Sequence, residues 1–358
     1  MHKSHDKNLR KLTFAEAIRE GIDQAMMDDP NLIVIGEGVP DPKSIFLTTE
    51  GLQEKYGSNR VFDMPLSENG MTGVCTGAAL NGTSVLMVHQ RIEFAMLAMD
   101  QIINNAAKWH YMFNGICSVP LTIRLIIGRG WGQGPTHAQN LQAWFAHIPG
   151  LKVVMPAFPD DAYALLRASI QDPNPVLFLE NRWLYGSRSV VSEYTHTSLG
   201  KARIVQKGDA VTVVSYSYLT LEALRAAQVL GDQGVYMELI DLRTVAPIDW
   251  ECIASSLRRT GRLLVLDTGH TTGSVAAEII ARISTNEFVY LKKPPLRIAL
   301  PDVPEPTSRG LVKGYYPTAL NIAEGCLSLL DTDASVDLSE LFISGMVDTP
   351  GEWFKGPF

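Results

Sequence analysis

The sequence predicts an α/β protein built from two doubly wound domains, and three observations support this class. Short apolar runs, such as 32–35 and 121–127, alternate with segments of helical periodicity along the chain. The same alternation resumes at about 206, after a polar and irregular stretch at 185–200. The chain has 358 residues and 46% hydrophobic content, which is enough for two cores.

The first half of the chain predicts strands that are each followed by a helix. Thr13 and Glu16 have capping-box spacing and begin a predicted helix that continues through Met27. The elements after it are predicted strands at 32–35, 61–63, 84–88, 121–127, 153–155 and 176–179, and helices at 71–80, 94–111 and 160–170. Continuous apolar strands are typical of parallel sheets, whose ligands bind at the carboxyl ends. We therefore place a first domain at 1–190 and expect its site at that edge.

The second half repeats this order after a predicted linker at 191–205. A second α/β domain at 206–330 is predicted to contain strands at 210–216, 236–240 and 263–266, and helices at 219–230, 250–258 and 273–283.

The tail at 331–358 is acidic in its first half and punctuated by glycine and proline, as in a disordered terminus. Its apolar side chains favour a second interpretation, in which the tail packs across a subunit boundary. The residues concerned are Leu338, Leu341, Phe342, Ile343, Trp353, Phe354 and Phe358.

Composition excludes several classes of protein. The net charge of −7 and the lack of any basic run argue against nucleic acid as a partner. The four cysteines are scattered without a C-x-x-C pair, which argues against a disulfide framework or a zinc site. The N-terminus lacks the apolar stretch of a signal peptide, and no apolar run is long enough to span a bilayer. We therefore expect a cytoplasmic protein that does not enter membranes.

Two short segments carry the candidate chemistry. Glu68 lies in Pro-Leu-Ser-Glu-Asn-Gly at a strand-to-helix turn, where an acid can also simply stabilise the helix dipole. His137 lies in Pro-Thr-His-Ala-Gln-Asn, after the glycine-rich run 128–134. Such a run indicates a backbone folded closely around something, although it lacks the ending of a P-loop. A locally satisfied histidine is the alternative for His137.

These motifs and the order of elements resemble the β subunit of the E1 component of thiamine-diphosphate (TPP) dependent 2-oxo acid dehydrogenases, from about Leu12 to Leu330. The Gly-Asp-Gly motif with a downstream Asn, which holds the magnesium diphosphate in that family, is missing. The nearest approaches, 208–210 and 231–234, lack the pattern. The resemblance therefore implies half of a catalyst: an α subunit supplies the Mg²⁺ and diphosphate site in an α2β2 heterotetramer, and a lipoyl-bearing E2 is a further partner.

The resemblance also implies roles for individual residues. Glu68 matches the acid partner of N1′ of the TPP aminopyrimidine, for which a carboxyl group in a dry pocket suits proton exchange. His137 matches the histidine that reaches the reacting substrate. The positions implied to lie around the cofactor are Leu66, Glu68, Gln90, Phe94 and Glu37.

Three weaker assignments follow from the same resemblance. The backbone carbonyls of 172–175, with one near Leu121, bind a monovalent cation such as K⁺ in several relatives, which makes Leu121, Asp172 and Asn174 candidates. A turn built from Asp, Asn and Pro explains that segment equally well. His147 is assigned a structural role. His270 is a candidate functional histidine at a strand end.

The segment before Phe94 departs from the family pattern. His89, Gln90, Arg91 and Glu93 replace a largely apolar stretch, and buried polar groups require partners. These partners are the substrate, the other subunit or neighbouring residues.

Two alternative functions stay open at this point. Polar groups such as Arg91, Arg129 and Gln133 would suit a split transketolase-like enzyme acting on a sugar. A non-catalytic scaffold subunit is the other alternative, although a scaffold has no chemical need for both Glu68 and His137.

Overall fold

A computed structural model describes residues 9–41, 43, 45–128, 133–192, 197–330 and 336–342. Its strands are β1 Leu9–Thr13, β2 Ile33–Gly36, β3 Val61–Phe62, β4 Val85–His89, β5 Leu121–Ile127, β6 Lys152–Val154, β7 Val176–Asn181, β8 Arg188–Ser192, β9 Arg203–Gln206, β10 Thr212–Ser215, β11 Glu238–Asp241, β12 Thr244–Ala246, β13 Leu263–His270 and β14 Leu296–Leu300. Its α-helices are α1 Phe14–Asp28, α2 Leu52–Tyr56, α3 Glu68–Leu80, α4 Ile92–Ala95, α5 Ala107–Met112, α6 Gly134–His137, α7 Gln142–Ala146, α8 Pro159–Ile170, α9 Tyr218–Gly231, α10 Trp250–Thr260, α11 Val275–Asn286, α12 Arg309–Val312 and α13 Ala319–Ser328.

The first sheet carries the candidate site. Its strand order is β12-β6-β7-β5-β4-β2-β3, and every neighbouring pair is parallel except β12 with β6. The central strands β4 and β5 are buried throughout, as their continuous apolar runs predict. Because β2, β4 and β5 are parallel neighbours, the residues that follow them meet at one edge of the sheet.

The second sheet has the order β14-β13-β10-β11-β9 and is parallel except for the β11–β9 pair. The two halves of the chain are tied together by β12, which leaves the second half and joins β6 of the first sheet. The sequence did not predict β9, β12 or β14. β9 and β12 are short and lie outside the strand–helix alternation, whereas β14 follows α11 within it but is only partly buried.

The region read as an irregular linker contains regular structure. β8 covers 188–192 and pairs antiparallel with β1, so the predicted linker at 191–205 begins inside a strand. β9 occupies its other end from Arg203. Strand β8 was not expected in this polar stretch because it is ordered by pairing with a strand far away in sequence, which local composition does not reveal, and the linker itself stays a prediction.

The predicted helix at 94–111 is helical but not uniform. It begins as α4 at Ile92, continues through a 3₁₀ turn at Met96–Ala98 and a π-helical stretch at Gln101–Ala106, and ends as α5 at Met112. The α1 capping box is present as predicted, with the Thr13 N–H donating to Glu16 Oε2 at 2.7 Å and the Glu16 N–H donating to Thr13 Oγ1 at 3.1 Å.

The described part of the tail packs on its own chain. Leu341 is buried against the core of the second half, and the Asp337 N–H donates to Gln233 Oε1 at 2.7 Å. Phe342 in the same segment is 66% exposed, and the prediction that the tail packs across a subunit boundary stays a prediction. Ile343, Trp353, Phe354 and Phe358 lie outside the described residues. Among the helices that the model describes, none combines the length and the apolar character needed to cross a membrane.

Candidate active site

The site forms where β2, β3, β4 and β5 end. Gly36, the last residue of β2, lies so close to β4 that an added Cβ would come within 2.2 Å of the Val88 carbonyl oxygen. The close approach requires glycine here and fixes the backbone from which Glu37 leaves the sheet. The Gln90 amide then donates to the Glu37 carbonyl oxygen at 3.2 Å, which connects the segments that follow β2 and β4.

Two carboxylates meet at this edge. Glu68 is the first residue of α3 and is only 7% exposed. The pKa of Glu37 is raised, first by burial and then by the negative charges of Glu68 and Asp63. Glu37 Oε1 is buried and has no hydrogen-bond partner among the described residues. Asp63, which the sequence did not single out, also accepts from the Gly38 N–H at 3.0 Å.

The other residues predicted around the cofactor are less enclosed. Gln90 is exposed, Leu66 is 81% exposed, and Phe94 is half-buried with its ring against the His137 ring at a centroid distance of 5.8 Å. The roles predicted for Leu66, Gln90 and Phe94 stay predictions.

Arg91 holds the glycine-rich loop. Its Nη1 donates to the Gly128 carbonyl oxygen at 2.7 Å, and its Nη2 donates to Gln133 Oε1. The side chain is buried, and this burial lowers its pKa. The alternative that Arg91 and Gln133 face a sugar loses its support, because these two side chains bind each other. Arg129 lies outside the described residues.

His137 is held at the same edge by Glu93, which the sequence marks only as a departure from the family pattern. Its Nδ1 contacts Glu93 Oε1, and Glu93 is 7% exposed whereas the His137 side chain is 45% exposed. The signal for Glu93 was a charged residue in an otherwise apolar helix start, two positions after Arg91. The departures at Arg91 and Glu93 therefore have intramolecular partners.

His89 is buried at the end of β4. Its Nε2 has no hydrogen-bond partner in the described part of the chain, and burial lowers the pKa of the imidazole to about 4. The ring is therefore neutral at physiological pH.

A buried ion pair supports the sheet beside the site. Arg124 on β5 and Glu180 on β7 are fully buried, and Arg124 Nη2 donates to Glu180 Oε2 at 2.8 Å. The Tyr185 hydroxyl donates to the same carboxylate oxygen at 2.7 Å, and the Thr48 hydroxyl accepts from Arg124 at 2.9 Å. The network holds β5 in line with β7 just before the glycine loop leaves β5.

His147 and His270 do not lie at the carboxyl edge of the first sheet. His147 and His270 both line a cleft of about 1180 Å³ between the two halves of the chain, and neither Glu68 nor His137 is among its lining residues. His270 Nδ1 donates to the Pro301 carbonyl oxygen at 2.7 Å, and its Nε2 is 3.8 Å from Glu305. The structure does not bring His270 to the edge where Glu68 and Glu37 lie.

The candidate cation segment forms an internally bonded turn. Asp172 forms an ion pair with Lys152, and its Oδ1 accepts from the Asn174 N–H at 3.0 Å. Asn174 Oδ1 is buried and has no partner among the described residues. Leu121 begins the neighbouring strand β5, with its N–H bonded to the Val119 carbonyl oxygen. A cation site here stays a prediction.

Comparison with known proteins defines the class of this fold. Residues 10–188 match the family described as "Transketolase, pyrimidine binding domain", and residues 200–322 match "Transketolase, C-terminal domain". A solved split-gene transketolase, described as an inactive β4 tetramer, shares the fold with a TM-score of 0.74 at 20% identity, over 89% of this chain and 98% of that chain. The chain is thus a two-domain α/β protein of the transketolase type, which confirms the predicted class of two α/β domains.

Closer relatives narrow the class to one family. The pyruvate dehydrogenase E1 subunit beta-1 of Arabidopsis thaliana, a mitochondrial protein, is 40% identical over 320 residues, covering 88% of each chain. The beta subunit of the acetoin:2,6-dichlorophenolindophenol oxidoreductase of Cupriavidus necator is 38% identical, over 88% of this chain and 96% of that subunit. The chain belongs to the β subunits of E1-type, TPP-dependent 2-oxo acid dehydrogenases, which confirms the predicted family.

Proposed function

We propose that the carboxyl edge of the first sheet is this chain's half of a TPP site at which a 2-oxo acid is decarboxylated, or a related ketone is cleaved, and the acyl unit is transferred. The observation that carries the proposal is the pair Glu68 and Glu37. Glu68 is a buried carboxylate at a helix start, and its charge helps to raise the pKa of Glu37. Paired carboxyl groups in a partly dry site are suited to holding and exchanging a proton.

The residues present fit the aminopyrimidine half of TPP. Glu68 would hold a proton at ring nitrogen N1′, and Phe94 would present an apolar face to the ring, with Leu66 and Gln90 beside it. Glu37 Oε1, which lacks a partner among the described residues, leaves an acceptor available at the site. When bound, TPP supplies a nucleophilic carbon and an electron sink.

The chain's own residues would divide the remaining tasks. The raised pKa of Glu37 favours binding of a proton next to Glu68, so this carboxyl group would exchange a proton with its neighbour more readily than an isolated glutamate. His137, with an exposed imidazole edge, would accept a proton from the substrate at the ring nitrogen that faces it and, once both ring nitrogens carry protons, would donate to oxygen atoms that gain negative charge. Arg91 keeps the glycine loop in place by binding Gly128 and Gln133.

The proposal requires a partner. The sequence lacks Gly-Asp-Gly with a downstream Asn, so the diphosphate and the Mg²⁺ would be held by an α subunit in an α2β2 heterotetramer. A lipoyl-bearing E2 would accept the acyl unit.

A K⁺ ion at the carbonyl groups near Leu121 and 172–175 is supported by Asn174 Oδ1, which is buried and has no hydrogen-bond partner among the described residues. The predicted location is the cytoplasm, although the Arabidopsis relative is mitochondrial.

The experiment is reconstitution with a candidate α chain that carries Gly-Asp-Gly. The complex is supplied with TPP and Mg²⁺ and assayed with pyruvate, acetoin and a ketose phosphate, using an artificial electron acceptor or an aldose acceptor. The proposal predicts turnover of pyruvate or acetoin that requires both chains. Transfer from the ketose phosphate alone would favour the sugar-transferring alternative, and a complex that assembles but turns over none of the three would favour the scaffold.

A further inference from the structure

Glu93 is a buried carboxylate with one hydrogen-bonded contact among the described residues. It lies in the first turn of α4, its Oε1 contacts His137 Nδ1, and its Oε2 is buried without a partner in the described part of the chain. The nearby charge of Glu93 also raises the pKa of Arg91, against the lowering by burial. A buried carboxylate is costly unless it is paired, so the contact with His137 is a specific feature of this site.

The contact fixes the tautomer of the imidazole. A carboxylate only accepts hydrogen bonds, so Nδ1 of His137 carries the proton that faces Glu93. Nε2 is then the ring nitrogen left for other partners. The Phe94 ring lies against the imidazole at a centroid distance of 5.8 Å and an interplanar angle of 56°, which restricts its rotation.

The glycine-rich loop does not need Glu93 to hold it in place, because other residues already contact it. A purely structural role therefore explains the contact between Glu93 and His137 less well than a role in positioning the histidine. Arg91 binds the loop at Gly128 and at Gln133, both of which precede His137 in the sequence. Gly134, at the start of α6, lies against Thr307 of the second half: an added Cβ there would come within 2.6 Å of Thr307 Oγ1. The described ends of the loop, at Gly128 and at 133–134, therefore have contacts that do not involve Glu93.

We propose that Glu93 is a positioning residue that orients His137, so that Nε2 points at the reacting substrate and Nδ1–H remains on the carboxylate. This inference rests on the proposed function, because it assigns His137 to the substrate. It adds an acid that acts through the histidine and does not touch the cofactor. The same arrangement, a carboxylate that holds one ring nitrogen while the other works, recurs in hydrolases of unrelated fold.

The test compares Glu93→Gln, Glu93→Asp, His137→Ala and the double variant Glu93→Gln/His137→Ala in the reconstituted complex with TPP, Mg²⁺ and pyruvate or acetoin. Glu93→Gln keeps the volume and removes the charge. We expect kcat to fall about 10- to 100-fold, which is the loss typical when the hydrogen-bond partner of a metal-bound histidine is removed. KM and the deuterium exchange of the TPP C2 proton should stay unchanged, and Glu93→Asp should recover part of kcat.

The double variant separates positioning from a structural role. If Glu93 acts through His137, Glu93→Gln/His137→Ala has the same kcat as His137→Ala. Multiplying losses, or an equal loss of C2 exchange and turnover in Glu93→Gln, overturn the inference, and so does an unchanged kcat. Glu54→Gln, the same substitution in the first turn of the exposed helix α2, is the matched control. A wild-type complex without turnover would instead overturn the proposed function itself.

Discussion

Replacing Glu68 by Gln should separate chemistry from folding. Glutamine has nearly the same volume as glutamate, and the residue is 7% exposed at the first position of α3. The folding cost is the loss of one negative charge at a helix N-terminus, about 0.3–1 kcal/mol. Losing the group that is proposed to exchange a proton with N1′ should reduce turnover about 10²- to 10⁴-fold, which corresponds to about 3–5 kcal/mol in the activation barrier.

These two magnitudes differ enough for one set of measurements to distinguish them. Thermal unfolding of the complex measures the loss of folding stability, while C2 proton exchange and turnover measure the loss of activity. Glu16→Gln is the matched control, because Glu16 is a helix-start acid whose carboxylate caps α1 and lies outside the site. The control should lose no more than about 1 kcal/mol of stability and keep full activity. Near-normal C2 exchange in Glu68→Gln would remove Glu68 from the mechanism.

Three further predictions concern stability. Burial lowers the pKa of His89 to about 4. The stability that depends on a neutral His89 is therefore fully present above pH 6.5 and is lost as the pH falls toward 4. Urea unfolding should show a loss of about 2 kcal/mol in the free energy of unfolding between pH 7 and pH 5, and His89→Phe should not show this loss. Glu180→Gln leaves the buried Arg124 guanidinium without its counter-charge and should cost about 3–5 kcal/mol in urea unfolding at pH 7; an unchanged midpoint would contradict the pairing. Gly36→Ala places a Cβ against Val88 and should cost about 1–3 kcal/mol, whereas Gly77→Ala, inside α3 where an added Cβ meets open space, should not destabilise the protein.

Local patterns were enough to predict most of the first sheet. β5 runs from Leu121 to Ile127 as its apolar sequence predicts, and the capping box at Thr13 begins α1 where the spacing places it. What could not be predicted depends on long-range pairing. β8 is ordered by β1, from which about 180 residues separate it, and β12 crosses from the second half to join β6. No local signal marks such strands.

The site was predicted in part for a related reason. Glu68 and Glu37 could be placed at one edge because parallel strands bring their carboxyl ends together. The partners of Arg91 and Glu93 could not be predicted, since each contacts a segment about 40 residues away that no local pattern places beside α4. From the sequence, a charged residue such as Arg91 at an apolar helix start would suit a sugar substrate. In the structure, Arg91 and Glu93 instead have partners within the chain.

The most direct test of the account is the affinity of this chain for TPP with and without an α subunit. Calorimetric titration of the isolated chain with TPP and Mg²⁺ should give weak binding or none, because it holds only the aminopyrimidine side of the site. The reconstituted complex should bind TPP tightly, and chelation of Mg²⁺ should abolish that binding. Tight, Mg²⁺-dependent binding of TPP by the isolated chain would contradict the claim that it is half of a catalyst.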